Sequence, residues 1–407
     1  MNILFTCGGT AGHINPAVAL ARMFQERNKD CKILFVGAEG GMENTLVPKE
    51  GFQLETVTIT NFRRSLSPAA IAHNMGTAVN ILRSDLQAKK ILNGFQPDLV
   101  VGTGGYASYP VVKAAAKRGI PTAVHESNAV PGLTTKALSK VCDVVMVGFS
   151  ESKEAYDDPA KVVVTGTPVR GDFFRYTRSE ARKALGLSDD RPLLVSYWGS
   201  LGATVMNGYM IRFLHLEEEH GHPFRHIHGA GRDYGSLTAA LAEGWGKREH
   251  PGIEVMEYIY DMPLVMAAAD LVLCRSGAST VSELAAIAKP SILVPSPNVT
   301  ADHQTKNAQV LANAGGAVLM PEKECTPEKL YAQAAALLSD APRRADMARK
   351  LSELSIPDAN EKIYQTWKGL LYDTTKKPGI LTDTGLFSPV FALPHRIPQK
   401  IHREGKI

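Results

Sequence analysis

Short aliphatic and β-branched runs alternate with segments of helical periodicity along most of the chain. This alternation is typical of βα units and predicts parallel sheets in an α/β fold. Six strands are predicted in the first half, at Asn2–Thr6, Lys32–Val36, Asp98–Gly102, Thr122–His125, Val144–Val147 and Val162–Thr165. Six more are predicted in the second half, at Leu193–Tyr197, Arg225–His228, Ile253–Tyr258, Leu271–Cys274, Ser291–Val294 and Ala317–Leu319.

The pattern pauses between the two series, in a polar and charged stretch that contains Gly166, Pro168 and Gly171. We interpret this stretch as a connection between domains. Because each half begins with a strand, a glycine-containing turn and a helix, we expect two Rossmann-like domains that face each other across a cleft. The expected divisions are a first domain at 1–165, a linker at 166–191, a second domain at 192–354, a helix at 355–372 that packs back on the first domain, and a Pro-rich basic tail at 373–407.

Composition narrows the class of protein. The 407 residues carry a net charge of +4, which is too small an excess to predict nucleic-acid binding without a clustered patch. The five cysteines have no CxxC spacing, so we expect reduced core thiols rather than a disulfide framework or a structural zinc site. Met1 leads directly into apolar residues, and no apolar run approaches about 18 residues, so we expect neither a signal peptide nor a membrane span.

Four loops that follow predicted strands are rich in glycine: Gly8–Gly12, Gly102–Gly105, Gly199–Gly202 and Arg275–Ser279. A glycine loop before a helix leaves backbone N–H groups free at the positive end of the helix dipole, which suits phosphate. Any one loop could simply be a tight turn, but four together favour a diphosphate ligand. None has the Gly-Lys-Ser/Thr ending or the G-x-G-x-x-G pattern, which argues against P-loop NTPases and nicotinamide oxidoreductases.

Several side chains able to do chemistry follow the same strands. His13, Tyr106 and the run His125-Glu126-Ser127-Asn128 all fall at one edge of the first predicted sheet. Histidine is the natural general base near neutral pH, although each of these histidines alone could be structural. In the second half, Glu283 lies one turn into a predicted helix, where it could accept hydrogen bonds from a ribose or simply interact with the helix dipole. No residues have metal-ligand spacing, so no metal-dependent mechanism is predicted.

Six ordered motifs resemble the bacterial MurG family, the N-acetylglucosaminyltransferases that convert lipid I to lipid II in peptidoglycan synthesis. The match extends from Met1 to about Leu371. The motifs are Gly8-Gly9-Thr10-Ala11-Gly12-His13-Ile14-Asn15-Pro16-Ala17, Gly102-Thr103-Gly104-Gly105-Tyr106, His125-Glu126-Ser127-Asn128, Gly166-Thr167-Pro168-Val169-Arg170, Arg275-Ser276-Gly277-Ala278-Ser279-Thr280-Val281-Ser282-Glu283 and Asp302-His303-Gln304-Thr305-Lys306-Asn307-Ala308.

The resemblance implies a GT-B glycosyltransferase that is inverting, needs neither metal nor cofactor, and works at the cytoplasmic face of the bacterial cell membrane. Its implied partners are UDP-N-acetylglucosamine (UDP-GlcNAc) as donor and undecaprenyl-pyrophosphoryl-MurNAc-pentapeptide as acceptor. The residues implied on the donor side are Ile259 for uracil, Glu283 for ribose, Ser200 and Ala278, Ser279, Thr280, Val281 and Ser282 for phosphate, Arg170 as a cation near the diphosphate, and Gln304 and Asn128 for the sugar. The residues implied on the acceptor side are His13 as the base, Thr10, Ala11 and Gly12 in the same loop, and Tyr106, His125 and Glu126.

The third glycine loop departs from the family. It usually reads Gly-Gly-Ser-Gln-Gly-Ala, whereas Trp198 and Leu201 replace the first Gly and the Gln here, and Ala11 is a milder change in the first loop. If the first position needs a positive φ or close packing against the cleft, Trp198 requires a local rearrangement. Two alternatives therefore stay open: a glycosyltransferase for another lipid such as diacylglycerol, and a UDP-sugar-binding paralogue without turnover.

A lipid acceptor calls for a membrane-facing surface. The candidate is an apolar stripe with nearby cations, made of Phe62-Arg63-Arg64, Ile71, Met75, Val79, Leu82, Leu86, Arg83, Lys89 and Lys90. A stripe at helical spacing is more often core packing, whereas the resemblance favours lipid contact for at least part of this segment. The basic tail is a second candidate for membrane contact, and we expect no compact domain there.

Overall fold

The computed structural model describes residues 1–60, 68–199, 203–245, 250–356 and 358–372. Within these residues the first half contains a seven-stranded parallel sheet in the order β3-β2-β1-β4-β5-β6-β7. Its strands are β1 (Asn2–Thr6), β2 (Lys32–Ala38), β3 (Gln53–Val57), β4 (Leu99–Gly102), β5 (Thr122–Glu126), β6 (Val144–Val147) and β7 (Val162–Val164). Its helices are α1 (Ala11–Arg27), α2 (Glu43–Lys49), α3 (Pro68–Phe95), α4 (Ser108–Ala116) and α5 (Leu133–Leu138).

The second half contains a six-stranded parallel sheet in the order β10-β9-β8-β11-β12-β13. Its strands are β8 (Leu193–Tyr197), β9 (Arg225–Gly229), β10 (Ile253–Met256), β11 (Leu271–Cys274), β12 (Ser291–Leu293) and β13 (Ala317–Leu319). The remaining helices are α6 (Arg178–Ala184), α7 (Thr204–Glu219), α8 (Tyr234–Trp245), α9 (Met262–Ala268), α10 (Ala278–Ala286), α11 (His303–Asn313), α12 (Pro327–Ser339), α13 (Ala341–Leu354) and α14 (Ala359–Tyr372).

The predicted fold class is confirmed, and one strand of the first sheet, β3, was not predicted from the sequence. In strand β3, Val57 is fully buried, and the other four residues are exposed or partly exposed. The strand lies at the edge of the first sheet, where it pairs only with β2. Such an edge strand does not show the continuous apolar run of a strand that is buried on both faces. The pattern therefore predicted the interior strands more readily than this one.

Both sheets reverse their strand order between two central strands, and this reversal determines where the glycine loops meet. In the first sheet β1 lies between β2 and β4, and in the second β8 lies between β9 and β11. Loops that leave neighbouring strands in opposite directions open a crevice at such a point. The first and second glycine loops follow β1 and β4, and the third and fourth follow β8 and β11.

A buried amide joins the two halves at the edges that carry these loops. The side chain of Asn307 on α11 is fully buried, and its Oδ1 accepts a hydrogen bond of 2.9 Å from the Ala129 N–H, just beyond β5. Its Nδ2 donates to Asn128 Oδ1 at 3.1 Å and to the Ser276 carbonyl at 3.3 Å. Helices α1 and α10 also contact each other across the halves.

The last described helix, α14, packs against the first half. The ring of Trp367 is fully buried, with its centre 5.9 Å from that of Phe5 on β1 and 5.8 Å from that of Phe24 on α1. Arg27 and Glu361 form an ion pair of 2.6 Å beside this contact. The helix therefore extends the core of the first half.

Helix α6 lies within the stretch expected to be a linker, and it packs against α9 of the second half. Arg178 and Arg182 on α6 form ion pairs with Asp270, which precedes β11. The buried Phe173 and Ala181 belong to the same hydrophobic cluster as β8 and β11. This part of the stretch is thus ordered against the second half.

A chain of buried polar side chains lies beneath the loops of the second half, and nothing in the sequence analysis singled it out. His226 Nδ1 contacts Glu217 Oε1 at 2.6 Å, and the Ser196 hydroxyl lies 2.7 Å from both His226 Nε2 and His228 Nδ1. The far nitrogen of His228 contacts Asn207 on α7 at 3.2 Å. Burial and the neighbouring His226 lower the pKa of His228 to about 3, so this ring stays neutral.

Two class-level expectations can be compared with the structure. All five cysteines are buried, as expected for core thiols, and none is paired with another. Among the residues described, no helix is both long enough and apolar enough to span a membrane. The tail at 373–407 lies outside the described residues, as do Phe62, Arg63 and Arg64 of the proposed membrane stripe.

Candidate active site

His13 lies in the first turn of α1 and is held by the glycine loop that precedes it. Thr10 is the N-cap of the helix, with extended backbone angles, and Ala11 and Gly12 form the start of the first turn. The Nδ1 atom of His13 lies 2.9 Å from the Gly8 carbonyl and 3.3 Å from the Thr10 hydroxyl. A carbonyl only accepts hydrogen bonds, so the neutral imidazole carries its proton on Nδ1 and its lone pair on Nε2.

The second glycine loop comes so close to this histidine that side chains are excluded. Gly104 has φ of 105°, and a Cβ atom there would lie 2.6 Å from Cδ2 of His13. The Thr103 hydroxyl donates a hydrogen bond of 2.7 Å to the His13 carbonyl. Tyr106 packs its ring against Gly9, and burial together with the charge of Glu43 raises the pKa of its phenol. His13 and Tyr106 thus share one side of the crevice.

The run after β5 is tied down by its own hydrogen bonds. His125 is fully buried, its Nε2–H donates to the Gly166 carbonyl at 3.0 Å, and burial lowers its pKa. The Glu126 carboxylate accepts hydrogen bonds from the Asn128 amide N–H at 3.0 Å, its side-chain amide at 2.8 Å and the Gly132 N–H at 3.0 Å. The structure therefore places His125 and Glu126 beneath the surface of the loop and Asn128 at its junction with Asn307.

The fourth glycine loop leads into α10, whose first five residues include two buried hydroxyls. Gly277 is the N-cap, and Ala278 and Val281 pack in the core. The Oγ atoms of Ser279 and Ser282 are buried and have no hydrogen-bond partner among the described residues. A buried hydroxyl without a partner costs free energy unless a ligand or water satisfies it, so these atoms favour a polar ligand at this helix N-terminus.

Thr280 lies in the same turn and faces the half-buried Tyr197 at the end of β8. Cys274, at the end of β11, is a second neighbour of the Tyr197 phenol, whose pKa is raised chiefly by burial. These residues bring the start of α10 close to the two central strands of the second sheet.

Glu283 lies one turn into α10, half-buried, as the sequence analysis placed it. Removal from water raises the pKa of its carboxyl to about 7; the positive charge of Arg170 acts to lower this pKa, and the negative charge of Asp172 acts to raise it. Arg170 is exposed, lies 3.7 Å from Asp172 and stacks over Phe173 with 5.4 Å between its guanidinium carbon and the ring centre. Arg170 and Glu283 are therefore close enough to act on each other.

Gln304 and Ile259 are both anchored by the second half. Gln304 accepts a hydrogen bond of 2.8 Å from the Ser296 N–H through Oε1, and its carbonyl accepts one of 2.8 Å from the Ser276 hydroxyl. The Ile259 side chain is buried in the core beyond β10, next to Gly229. Ser200 and Leu201 lie outside the described residues.

Trp198 does not require the backbone rearrangement that its position suggested. Positive φ occurs at the next residue, Gly199, at 87°. The Trp198 side chain is buried in a hydrophobic cluster with Leu194 and Met206, and the Arg275 guanidinium carbon lies 5.8 Å from its ring centre. The Trp side chain therefore adds to the core beneath the third loop.

Two further residues at these edges escaped the sequence analysis as site residues. Asn307 was noted only as part of a motif, and Glu43, fully buried under the first glycine loop, was not noted at all. A buried carboxylate without a charged neighbour in sequence gives no signal that distinguishes it from an exposed one. In the described part of the chain, no group of three or more His, Cys, Asp or Glu side chains is placed to hold a metal ion.

Comparison with known proteins agrees with this geometry. Residues 3–147 match the glycosyltransferase family 28 N-terminal domain, and residues 195–363 match the glycosyltransferase family 28 C-terminal domain. A protein of Acetivibrio thermocellus is 41% identical over 373 residues, which cover 91% of this chain and 98% of that protein. It is named UDP-N-acetylglucosamine--N-acetylmuramyl-(pentapeptide) pyrophosphoryl-undecaprenol N-acetylglucosamine transferase, as is a Thermoanaerobacter protein that is 41% identical over 91% of this chain and all of its own length.

Solved structures give the same result. The crystal structure of MurG from Acinetobacter baumannii matches with a TM-score of 0.70 and 28% identity, over 90% of this chain and 99% of that one. A UDP-GlcNAc 2-epimerase from Neisseria meningitidis, with a TM-score of 0.61, 14% identity and coverage of 90% and 100%, shares the fold. The matched domains, the relatives and the shared architecture together show that this chain belongs to glycosyltransferase family 28, among its MurG members.

Proposed function

We propose that the chain transfers N-acetylglucosamine from UDP-GlcNAc to the 4-hydroxyl of MurNAc in undecaprenyl-pyrophosphoryl-MurNAc-pentapeptide. The observation that carries the proposal is the pairing of two sites at facing sheet edges. One is a helix N-terminus with unpartnered buried hydroxyls and a nearby carboxylate. The other is a histidine with its lone pair on Nε2. The relatives' names supply the identities of the donor and the acceptor.

The donor would bind on the second half. The N-terminus of α10 offers backbone N–H groups and the Ser279 hydroxyl to the diphosphate, which stabilises negative charge without a metal. Arg170 adds a positive charge on the same side. Glu283 would accept the ribose hydroxyls, Ile259 would present its backbone to uracil, and Gln304 would meet the sugar.

The transfer itself is a single displacement. The acceptor hydroxyl oxygen forms a bond to the anomeric carbon as the bond to the UDP oxygen breaks, and the electron pair leaves with UDP. The proton of the hydroxyl passes to His13 Nε2, acting as general base. Attack from the face opposite UDP inverts the anomeric centre. Tyr106 would border the acceptor, while His125 and Glu126 would act by fixing the loop around it.

Membrane contact is proposed for the first half, at the cytoplasmic face of the cell membrane. Leu82 and Leu86, one turn apart on α3, are 71% and 67% exposed, so core packing does not account for these two. Arg83 and Lys90 are exposed on the same helix. Exposed apolar side chains flanked by cations suit an anionic lipid surface, where the lipid acceptor resides.

The most direct test of the reaction offers radiolabelled UDP-GlcNAc to the purified chain with one of two lipid acceptors. We expect label in the extracted lipid with undecaprenyl-pyrophosphoryl-MurNAc-pentapeptide and none with diacylglycerol. Label in diacylglycerol would overturn the acceptor assignment. UDP binding without transfer to either lipid would identify a non-catalytic sugar-nucleotide binder.

The raised pKa of the Glu283 carboxyl predicts that nucleoside binding depends on pH. Uridine carries no phosphate and does not titrate between pH 6 and 8, so a change in its affinity with pH reports the ionisation of the Glu283 carboxyl. With a carboxyl pKa of about 7, the accepting carboxylate is depleted as the pH falls, and affinity measured by NMR titration should drop about tenfold from pH 8 to pH 6.

Glu283→Gln should weaken uridine binding by about ten- to a hundredfold at pH 8 and remove the pH dependence, because a neutral amide replaces the charged acceptor. Glu254→Gln, at an exposed carboxylate on β10, serves as the matched control and should keep both the affinity and its pH dependence. A Glu283→Gln protein that binds uridine like wild type would remove Glu283 from the ribose site.

The membrane surface is tested by co-sedimentation with anionic vesicles. Replacing Leu82 and Leu86 together by Ser should lower the partition coefficient by about tenfold or more, since each Leu contributes roughly 1.5 to 3 kcal/mol when fully buried. Val205→Ser, at an exposed apolar position of the second half, should change little. Equal binding by the double variant and wild type would place the membrane contact elsewhere.

A further inference from the structure

Glu43, the first residue of α2, is a fully buried carboxylate beneath the first glycine loop. Its Oε1 accepts a hydrogen bond of 2.7 Å from the Ala38 N–H at the end of β2, and its Oε2 accepts one of 3.2 Å from the Gly9 N–H. Both donors belong to the main chain. The carboxylate is thus held directly against the loop that carries His13.

Glycines surround the Glu43 side chain and leave room for its carboxylate. A Cβ atom at Gly8, Gly37 or Gly41 would overlap atoms of the Glu43 side chain. One position in the first glycine loop, one in β2 and one in the loop after β2 therefore lack side chains around one carboxylate. Helix formation at α2 alone does not require this arrangement, because Glu in a first turn is normally satisfied in solvent.

A single peptide unit connects this carboxylate to the histidine. The Gly9 N–H that donates to Glu43 and the Gly8 carbonyl that accepts from His13 Nδ1–H are the two polar groups of the same peptide bond. A hydrogen bond accepted from the N–H by a charged oxygen polarises the peptide and strengthens its carbonyl as an acceptor. The two hydrogen bonds are therefore coupled.

We propose that Glu43 is a positioning residue for the transfer reaction, which orients His13 through the Gly8–Gly9 peptide and keeps its proton on Nδ1 and its lone pair on Nε2. The inference rests on the proposed role of His13 as the base. In this arrangement, which we call the relay, the Glu43 carboxylate acts on the His13 imidazole through the Gly8–Gly9 peptide bond and does not contact the ring directly. Orientation of an imidazole by the partner of its other nitrogen is a general device of histidine sites.

The negative charge of Glu43 also acts on two other residues on this side of the crevice. Besides burial, the negative charge of Glu43 raises the pKa of the Tyr106 phenol and of the Cys7 thiol. The Thr10 hydroxyl, 3.3 Å from His13 Nδ1, is the alternative partner of the ring when the Gly8 carbonyl weakens. Loss of the carboxylate should therefore shift the ring between tautomers.

The test uses the full chain with ¹⁵N-labelled histidine, and His13→Ala identifies the His13 signals. In wild type the ¹⁵N shifts of the neutral ring should report the Nδ1–H tautomer. This measurement needs no variant at Glu43, and a predominant Nε2–H tautomer would overturn the relay.

Glu43→Gln keeps the size of the side chain but presents an amide N–H₂ to one of the two backbone N–H donors. We expect a lower Nδ1–H fraction for His13 and a fall in kcat of about ten- to a hundredfold, with the KM for UDP-GlcNAc unchanged because the donor binds on the second half. In a His13→Ala background, Glu43→Gln should cause no further loss of kcat, since the two act as one unit.

Glu39→Gln is the matched control, because Glu39 lies just beyond β2 and bonds to the Thr58 hydroxyl at 3.1 Å, away from the loop. It should leave the tautomer and kcat as in wild type. A Glu43→Gln protein with an unchanged tautomer, or losses that multiply with those of His13→Ala, would overturn the inference. Full activity of His13→Ala would instead overturn the base assignment, while a tautomer shift in Glu43→Gln would still support the relay.

Discussion

The buried amide of Asn307 is the contact on which the site depends. It accepts from the Ala129 N–H of one half and donates to the Ser276 carbonyl of the other, so one side chain fixes the loop after β5 against the loop after β11. An unsatisfied buried amide costs about 1 to 3 kcal/mol, so separation of the edges at this point is unfavourable unless water replaces both partners. The contact fixes the position of the proposed acceptor side relative to the proposed donor side.

The fold explains why polar groups collect at these edges. A parallel sheet that is covered on both faces leaves only its strand ends for chemistry, and the reversal of strand order at β1/β4 and at β8/β11 opens a crevice in each half. His13 lies against Gly104 at the first crevice. The N-terminus of α10, with Glu283 one turn into the helix, lies at the second. In the proposed reaction, one half supplies the proton acceptor, and the other supplies groups that stabilise an anion. These are the two requirements of a displacement that releases a nucleoside diphosphate.

Sequence patterns predicted the parts of the structure that depend on local regularity. The interior strands were visible as apolar runs, and the glycine loops marked the turns into α1 and α10. Strand β3 was missed because it is an edge strand in which Val57 is the one buried residue. The effect of Trp198 was also not predictable, because only the packing shows that its side chain enters the core while Gly199 takes the positive φ.

The roles of buried polar residues were harder to predict. His125 and Glu126 were visible as chemistry-bearing residues, but their burial and hydrogen bonds depend on Gly166 and Gly132, which are distant or unremarkable in sequence. The sequence did not indicate the roles of Glu43 or of the hydrogen-bonded chain from Glu217 to Asn207. Their hydrogen-bond partners lie on separate elements that only the fold brings together. Long-range pairing of this kind is not encoded in periodicity or spacing.

The central claim is that the two facing edges form one site for donor and base, and a crystal structure of the chain with UDP-GlcNAc tests it most directly. The account predicts the diphosphate at the N-terminus of α10, the ribose hydroxyls within about 3 Å of the Glu283 carboxylate, and the anomeric carbon facing His13 Nε2 across the crevice. A nucleotide bound at the first glycine loop, or a sugar directed away from His13, would contradict it.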